Sequence, residues 1–433
     1  MKSFILSLSL AVAGAASGVG APVFVPAGEA WSSTSVNATV FRYSSLCSRG
    51  DVQYISYYDA DGYVVLGRRR ISSGEPFEVT RTQYRGNVRD AHNSISMAVD
   101  GAGYLHVSFD HHGHPLKYAR SVSPDSLELG ALEPMTGRGE GNVTYPEFHR
   151  IAGGDLVFVF RDGRSGCGNL VMNRYSVRER KWRRVHDSLI DGEGRQNAYW
   201  QLASDSAGTL HISWVWRRTP DVATNHDLCY ARSRDGGATW ERSDGTPYKL
   251  PITAETAECA VRIPERSELI NQTGMAADAA GHPAIATYWR EKGDEAVQYR
   301  LVRHDGKTWR VEPLPKRSLD FRLGGGGTKM IPISRPRIVI DGGFVAVIFR
   351  DAERGSHASC YVTDDIANGE WRTLDLTDYP LDAWEPSIDE GLWRERRRLN
   401  VFIQRVRQGD GEMTVDGAPT TAGALDILFT NHN

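Results

Sequence analysis

A chain of 433 residues with a net charge of −3 lacks the basic balance of a nucleic-acid binder or a membrane-surface protein, and has room for several small domains or one large β architecture. Forty-four glycines and eleven tryptophans, with few long stretches of helical period, favour many short strands joined by tight turns.

At the N-terminus, Lys2, an apolar run from Phe4 to Ala13 and small residues through Val19-Gly20-Ala21 have the layout of a secretory signal peptide, too short for a stable membrane span. The expectation is a leader over residues 1–21 and an exported product over 22–433, extracellular or periplasmic. Five cysteines (Cys47, Cys167, Cys229, Cys259, Cys360) are too few, and odd in number, for a complete disulfide framework; one or two bridges remain compatible with export.

Downstream, one unit recurs seven times: an apolar strand, a short turn rich in Gly, Asp or Asn, a second strand, and often a third ending near Trp or Arg. The first copy spans 52–66 around Asp61-Gly62. The second, 97–109, doubles back at Asp100-Gly101 and is flanked or occupied by His92, His106, His111, His112 and His114. The third leads with Leu156-Val157-Phe158-Val159-Phe160-Arg161 and ends near Trp182. The remaining copies cover 203–240, 276–309, 338–371 and 387–429. The fourth contains Ser233-Arg234-Asp235-Gly236-Gly237-Ala238-Thr239-Trp240, the Asp-box pattern of bladed propellers. There Asp and Thr close a hairpin turn and Trp packs between sheets. These repeats predict an all-β fold, one seven-bladed β-propeller of four-stranded antiparallel blades, closed by a strand near 32–42 against the last blade near 424–430.

A propeller gathers its loops around one mouth, so residues from separate blades converge there. His92 and His112 bracket the second hairpin and meet at its open end. Tyr145 lies in the connection into the third copy. Arg161 directly follows five apolar strand residues, leaving the core for the rim with a guanidinium fork suited to a carboxylate. Two imidazoles, a phenol and a guanidinium form a set for β-elimination of a 4-linked uronate. Arg161 and a histidine, His92, hold and neutralise the carboxylate. His112 and Tyr145 handle the protons in either order: a neutral His or ionised Tyr takes the C5 proton, and Tyr or protonated His supplies the proton to O4. That chemistry requires no cofactor; His226, Cys229 and Cys259 leave a structural divalent cation open. The run Gly324-Gly325-Gly326-Gly327-Thr328-Lys329 lacks the phosphate-loop pattern and reads as a flexible rim loop, while Trp200, Trp214, Trp216 and Trp384 read as sheet-packing residues.

The strings Asp90-Ala91-His92-Asn93-Ser94, Asp100-Gly101-x-Gly103-Tyr104-x-His106, His112-Gly113-His114-Pro115-Leu116-Lys117-Tyr118 and Phe160-Arg161-Asp162-Gly163 resemble the BNR-repeat propeller polysaccharide lyases, the group of ulvan lyases and rhamnosyl-glucuronate lyases. The resemblance continues through 225–232 and 269–275. It implies a seven-bladed fold and cleavage beside a uronate in an ulvan-like or rhamnose-glucuronate polymer. It also implies His92 and His112 as the active-site histidines, Tyr145 as the tyrosine and Arg161 as the arginine that binds the acidic group. Asn93, His111, His114 and Arg164 are expected to contact substrate, and His106 to be a blade residue. The expected partner is an acidic polysaccharide, without nucleic acid or membrane, bound by a monomer. Two rivals stand beside this reading. One is a sialidase-like or rhamnosidase-like hydrolase, for which Val261-Arg262-Ile263-Pro264 resembles the Arg-Ile-Pro motif but follows the Asp box instead of preceding it. The other is a non-catalytic sugar-binding propeller.

Overall fold

The computed structural model describes residues 19–411 and 413–429. The first eighteen residues of the expected leader lie outside this part. Of the other three, Val19 bridges to Phe429 and Gly20 donates its N–H to the carbonyl of Leu428 (2.7 Å).

Seven antiparallel sheets follow one another along the chain and form a β-propeller. Blade 1 comprises Leu46–Arg49, Val52–Tyr58, Tyr63–Arg70 and Glu78–Arg85. Blade 2 comprises Ile95–Val99, Leu105–Phe109 and Tyr118–Arg120, with a further bridge from Ser121 to Leu129. Blade 3 is Val143–Arg150, Leu156–Arg164, Cys167–Ser176 and Lys181–Asp191, and the short strand His112–His114 pairs onto its first strand. Blade 4 is Asn197–Ser204, Leu210–Arg217, Asn225–Ser233 and Glu258–Val261. Blade 5 is Gly274–Ala277, Pro283–Trp289, Gln298–His304 and Trp309–Pro313; blade 6 is Arg337–Asp341, Phe344–Arg350, Ala358–Thr363 and Arg372–Asp375. First strands of neighbouring blades lie against one another around the axis.

Blade 7 closes the ring. Arg398–Ile403 pairs with Thr420–Leu428, Ile388 bridges to Val401 on the inner side, and Val23–Ala30 forms the outer strand, from Val23 opposite Asp426 to Ala30 opposite Thr420. The closing strand is therefore not 32–42 but the segment before it. The backbone of 32–42 makes turns instead, with Ala38 N–H donating to Ser35 O and Arg42 N–H to Thr39 O, while the side chains of Ser32, Thr34 and Ser35 bond across to Ala418 O, Val88 O and Gln408. That turn-rich segment is buried and carries Phe41 towards the mouth.

Apolar side chains fill the spaces between adjacent sheets, as in face-to-face sheet packing. One cluster joins Val157 and Met172 of blade 3, Ile212 and Trp214 of blade 4, and Ile285 and Val302 of blade 5. Trp200, Trp214, Trp216 and Trp384 are all fully buried, which fits packing and not sugar stacking. The turn Ser233–Trp240 is closed by Asp235, which accepts from Thr239 N–H (2.9 Å) and Thr239 Oγ1 (2.7 Å), while Trp240 Nε1 donates to Gly237 O (3.0 Å).

At the hairpin ends away from the mouth, Asp-x-x-Gly recurs at 100–103, 205–208 and 278–281, joining the first two strands of blades 2, 4 and 5, and the same turn at 59–62 joins the second and third strands of blade 1. In each, the aspartate Oδ1 takes backbone N–H groups two or four residues on, as Asp100 does from Ala102 and Tyr104 (2.8 and 2.9 Å). Gly103 has φ +92°, a left-handed conformation that a side chain would strain. The turn that opened as Asp100-Gly101 in the sequence is thus a longer one completed by Gly103.

Candidate active site

Because the first two strands of a blade are antiparallel, the start of the first and the end of the second lie at the same edge of the propeller. The pairings Ile95 with Phe109, Thr144 with Arg161 and Asn197 with Arg217 mark that edge in blades 2, 3 and 4. Each of these blades delivers two side chains to the mouth: His92 and His112, Tyr145 and Arg161, Tyr199 and Arg217. All six line one cavity of about 700 Å³, together with Phe41, Ser165, Asn271, Lys329 and Arg335. Among the described residues that line it, none is Asp or Glu.

His92 and His112 stack face to face, with ring centroids 4.0 Å apart and planes 12° from parallel. Phe41 stacks on the other face of His92 at 4.4 Å. A single carboxylate, Asp90, holds both imidazoles by their inner edges: His92 Nδ1–H donates to Oδ1 (2.8 Å) and His112 Nδ1–H to Oδ2 (2.6 Å). The backbone N–H of His92 also donates to Oδ1 (2.9 Å). Burial alone would push the Asp90 carboxyl up, but the bonds from His112 and His92 outweigh it and hold the group far below the usual carboxylate range. An ionised Asp90 accepts only, so each neutral imidazole carries its proton at Nδ1 and its lone pair at Nε2, away from Asp90. Burial lowers the His92 pKa to about 4, against the opposing bond to Asp90.

Tyr145 is brought in by a local irregularity. The pairing of its strand with Leu156–Arg164 shifts register between Thr144 and Glu147, and Tyr145 has φ +55°. A non-glycine residue in the left-handed region, just before a proline, is strained by about 1–2 kcal/mol, and the bulge re-aims its ring into the cavity. The Arg161 guanidinium lies over that ring, 4.9 Å from its centroid. Arg161 is buried, yet its Nε and Nη1 have no hydrogen-bond partner among the described residues. Blade 4 repeats the pair, with Arg217 5.3 Å above the centroid of Tyr199. Here the arginine is already occupied, by the carbonyls of Thr219 (3.2 Å) and Pro220 and by the Tyr199 hydroxyl (3.3 Å). Arg335 is likewise paired with Glu385 (Nε to Oε1, 2.7 Å). Three arginines line the cavity, but donors stand idle on Arg161.

The two tyrosines, with ring centroids 5.8 Å apart, differ in acidity. Burial, then Tyr199, push the Tyr145 phenol up despite Arg161, Arg217 and Arg335. Burial would raise Tyr199 too, but Arg217 and Arg161 outweigh it and hold its phenol below the ordinary range.

The structure brings His92, His112, Tyr145 and Arg161 together but leaves the other expected contacts outside the cavity lining. Asn93 is buried and donates to Asn87 O (3.1 Å). His111 is buried, with Nε2 accepting from Lys117 N–H (2.8 Å), and burial lowers its pKa to about 3. The exposed His114 accepts the His112 backbone N–H (3.1 Å) and so acts on the turn. Arg164 is exposed at the far end of its strand. His106 lies inside blade 2, bonded to Tyr118 (2.8 Å) and Asp100 (3.3 Å). The Gly324–Lys329 run, read as a rim loop, contributes Gly326, Gly327, Thr328 and Lys329 to the cavity wall. It is tied by Gly325 N–H to Asp221 and by Lys329 to Asp410 (2.7 Å each).

Asp90, Tyr199, Arg217, Phe41 and Arg335 were not among the residues singled out from sequence. For Tyr199 and Arg217 a signal existed: Trp216-Arg217 ends an apolar run as Phe160-Arg161 does one blade earlier. Asp90, His92 and His112 also have ligand atoms within 4.8 Å of one another and can hold a metal ion, though both carboxylate oxygens already receive imidazole N–H groups.

A profile of the BNR repeat-containing family matches residues 52–317. The chain is 21% identical to the ulvan lyase of Alteromonas sp. (strain LOR) over 313 residues, 62% of this chain and 64% of that protein. It therefore spans a little under two thirds of that relative's length. Its fold is similar to the crystal structure of polysaccharide lyase Uly1, with a TM-score of 0.67, 14% identity, and 95% of this chain and 99% of that one covered. It is also similar to the structure of a PL25 polysaccharide lyase, an ulvan lyase, bound to -[GlcA(1-4)Rha3S]-, with a TM-score of 0.62, 15% identity, and 94% of this chain and 95% of that one covered.

Proposed function

Because this chain belongs to the BNR repeat-containing family, we propose that it is a polysaccharide lyase that breaks an acidic polysaccharide at a uronate by β-elimination. The observation that carries the reading is Arg161, a buried guanidinium with two unbonded nitrogens beside two imidazoles and two phenols. A planar fork takes a carboxylate through two bonds, and matching that charge makes the neighbouring C5 proton removable.

His92, paired with Arg161 on the carboxylate in the sequence reading, takes a different part here. With its proton committed to Asp90, a neutral His92 has none for a carboxylate; it stacks between Phe41 and His112 and accepts from a sugar hydroxyl. His112, the more open of the two, takes the C5 proton at Nε2. The electron pair becomes the C4–C5 double bond and the bond to O4 breaks. Tyr145, whose raised pKa keeps it protonated, gives its proton to O4. Tyr199, held towards the phenolate by Arg217, is the second candidate base. No step routes through a metal or cofactor. Among the described residues that line it, the cavity also has no paired carboxylates of the kind a glycoside hydrolase uses.

The substrate we favour is a uronate beside rhamnose, as in ulvan, on the strength of the ulvan lyases that this chain is similar to. The apolar run Phe4 to Ala13 supports export, where such polymers are met, and we take the working form to be a monomer. Incubation with ulvan and other uronate polymers, followed by ultraviolet absorbance, tests the reading, because the unsaturated product has a conjugated double bond. Release of saturated sugars alone would mean a hydrolase. Binding without turnover, unaffected by His112→Ala and Tyr145→Phe, would mean a sugar-binding propeller.

A further inference from the structure

Away from the mouth, two cysteines face each other on blade 4. Cys229 in Asn225–Ser233 and Cys259 in Glu258–Val261 are register partners, and their Sγ atoms are 3.5 Å apart. Directly opposed antiparallel residues have Cα atoms about 4.5–5.5 Å apart, within the ~4.4–6.8 Å that a disulfide spans. The pairing also shifts register between Leu228 and Cys229, which adds local twist and freedom of aim. Metal ligation is the competing use of such a pair. Among the described residues, however, no third His, Cys, Asp or Glu completes a ligand group with them, and His226 is bonded to Asp227 and Gln196 (3.3 Å each).

We propose that Cys229 and Cys259 are a site of oxidative modification, joined as a disulfide that clamps the outer edge of blade 4 once the chain meets a small-molecule disulfide. The two thiols are unequal. Cys229 is buried, which pushes its pKa well up, whereas Cys259 is partly open to solvent and the Cys229 thiol donates towards it, holding its pKa below the ordinary range. Cys259 thiolate attacks one sulfur of the oxidant and releases a first thiolate. Cys229 then loses its proton and attacks the Cys259 sulfur, releasing a second. One protein S–S bond forms, two protein thiol protons are lost, and the oxidant is reduced to two thiols. The bond closes a loop over residues 230–258, which include the Ser233–Trp240 turn. It also fixes the strand from which the chain runs on to Ile270 and Asn271 in the cavity wall.

The test is peptide mapping of the full chain after exposure to oxidised glutathione, with alkylation before any reduction. The expected result is a linked pair of peptides holding Cys229 and Cys259, with Cys47, Cys167 and Cys360 alkylated. The melting temperature should rise by several degrees over the reduced protein, a difference absent from both Cys259→Ser and Cys259→Ala. Full alkylation of Cys229 and Cys259 after oxidation overturns the proposal. So does stoichiometric zinc that survives dialysis and is lost in Cys259→Ser. The mapping is done on the parent chain, so it decides the matter even if a variant fails to fold.

Discussion

Asp90→Asn is a near-isosteric change with a large expected effect. The carboxylate accepts three N–H groups, two of them from the imidazoles, at 2.9, 2.8 and 2.6 Å. An asparagine has one acceptor oxygen, and its NH₂ meets the other ring as a donor. That ring must then accept at Nδ1 and carry its proton at Nε2, the wrong tautomer for a base. A hydrogen bond to a charged group is worth about 1.5–3 kcal/mol, so the tautomer change alone costs roughly 10- to 150-fold. In the Ser-His-Asp template, the corresponding Asp→Asn change lowers kcat by about 10⁴. We expect kcat on a uronate polymer to fall by about 10²–10⁴ with KM little altered, as for an interaction needed mainly in the transition state. The assay is the initial rate of ultraviolet absorbance, with a thermal melt on the same samples to establish folding. Since the bond to Asp90 raises the His92 pKa, its loss should also extend residual activity to lower pH. A folded variant with kcat within about threefold of the parent would refute the reasoning, because the shared carboxylate would then not govern the histidine tautomers.

Three further outcomes follow from the same geometry. Arg161→Lys, which keeps the charge but loses the fork, should lower kcat/KM by about 10²-fold, and Arg161→Ala by more; kinetics on one polymer over a range of salt measures both. Tyr145→Phe should lower kcat by about 10²–10⁴ while polymer binding by calorimetry is unchanged; unchanged kcat would assign the leaving-group proton elsewhere. His92 and His111 have folded pKa values of about 4 and about 3, each lowered first by burial, against ~6.5 in the unfolded chain. The unfolded chain therefore binds more protons between those values, and stability falls as pH drops below ~6.5. Each group contributes a loss of about 2 kcal/mol by pH ~5, measurable by denaturant titration; a flat profile from pH ~7 to ~5 would contradict it.

Much of the site was legible in the sequence because hairpin geometry is local. His92 and His112 flank one hairpin, and Arg161 breaks out of an apolar run, so chain order alone put them at a strand end. Tyr199 and Arg217 were overlooked because each sits in a strand whose aromatic neighbours read as packing; only the comparison of equivalent positions between blades separates them. Phe41 and Arg335 reach the cavity through ring closure, from chain positions far from the histidines. Asp90 escaped notice because its part depends on two imidazoles being stacked 4.0 Å apart, which no spacing reveals. The closing strand was misplaced for a related reason: Val23–Ala30 includes Pro26 and a register shift between Pro26 and Gly28, which blur its alternation.

The Asp-x-x-Gly turns have a consequence for how such a molecule can change. In blades 2, 4 and 5 they fasten the first hairpin at one end through an aspartate and backbone N–H groups, so the opposite end is held in position whatever side chains it bears. Blade 2 occupies that held end with histidines and blade 4 with a tyrosine–arginine pair, and blade 5 has the same turn beneath its own two positions. Chemistry on this scaffold can thus be re-specified by exchanging side chains socket by socket, or moved one blade around the axis, without redesigning the frame that presents them.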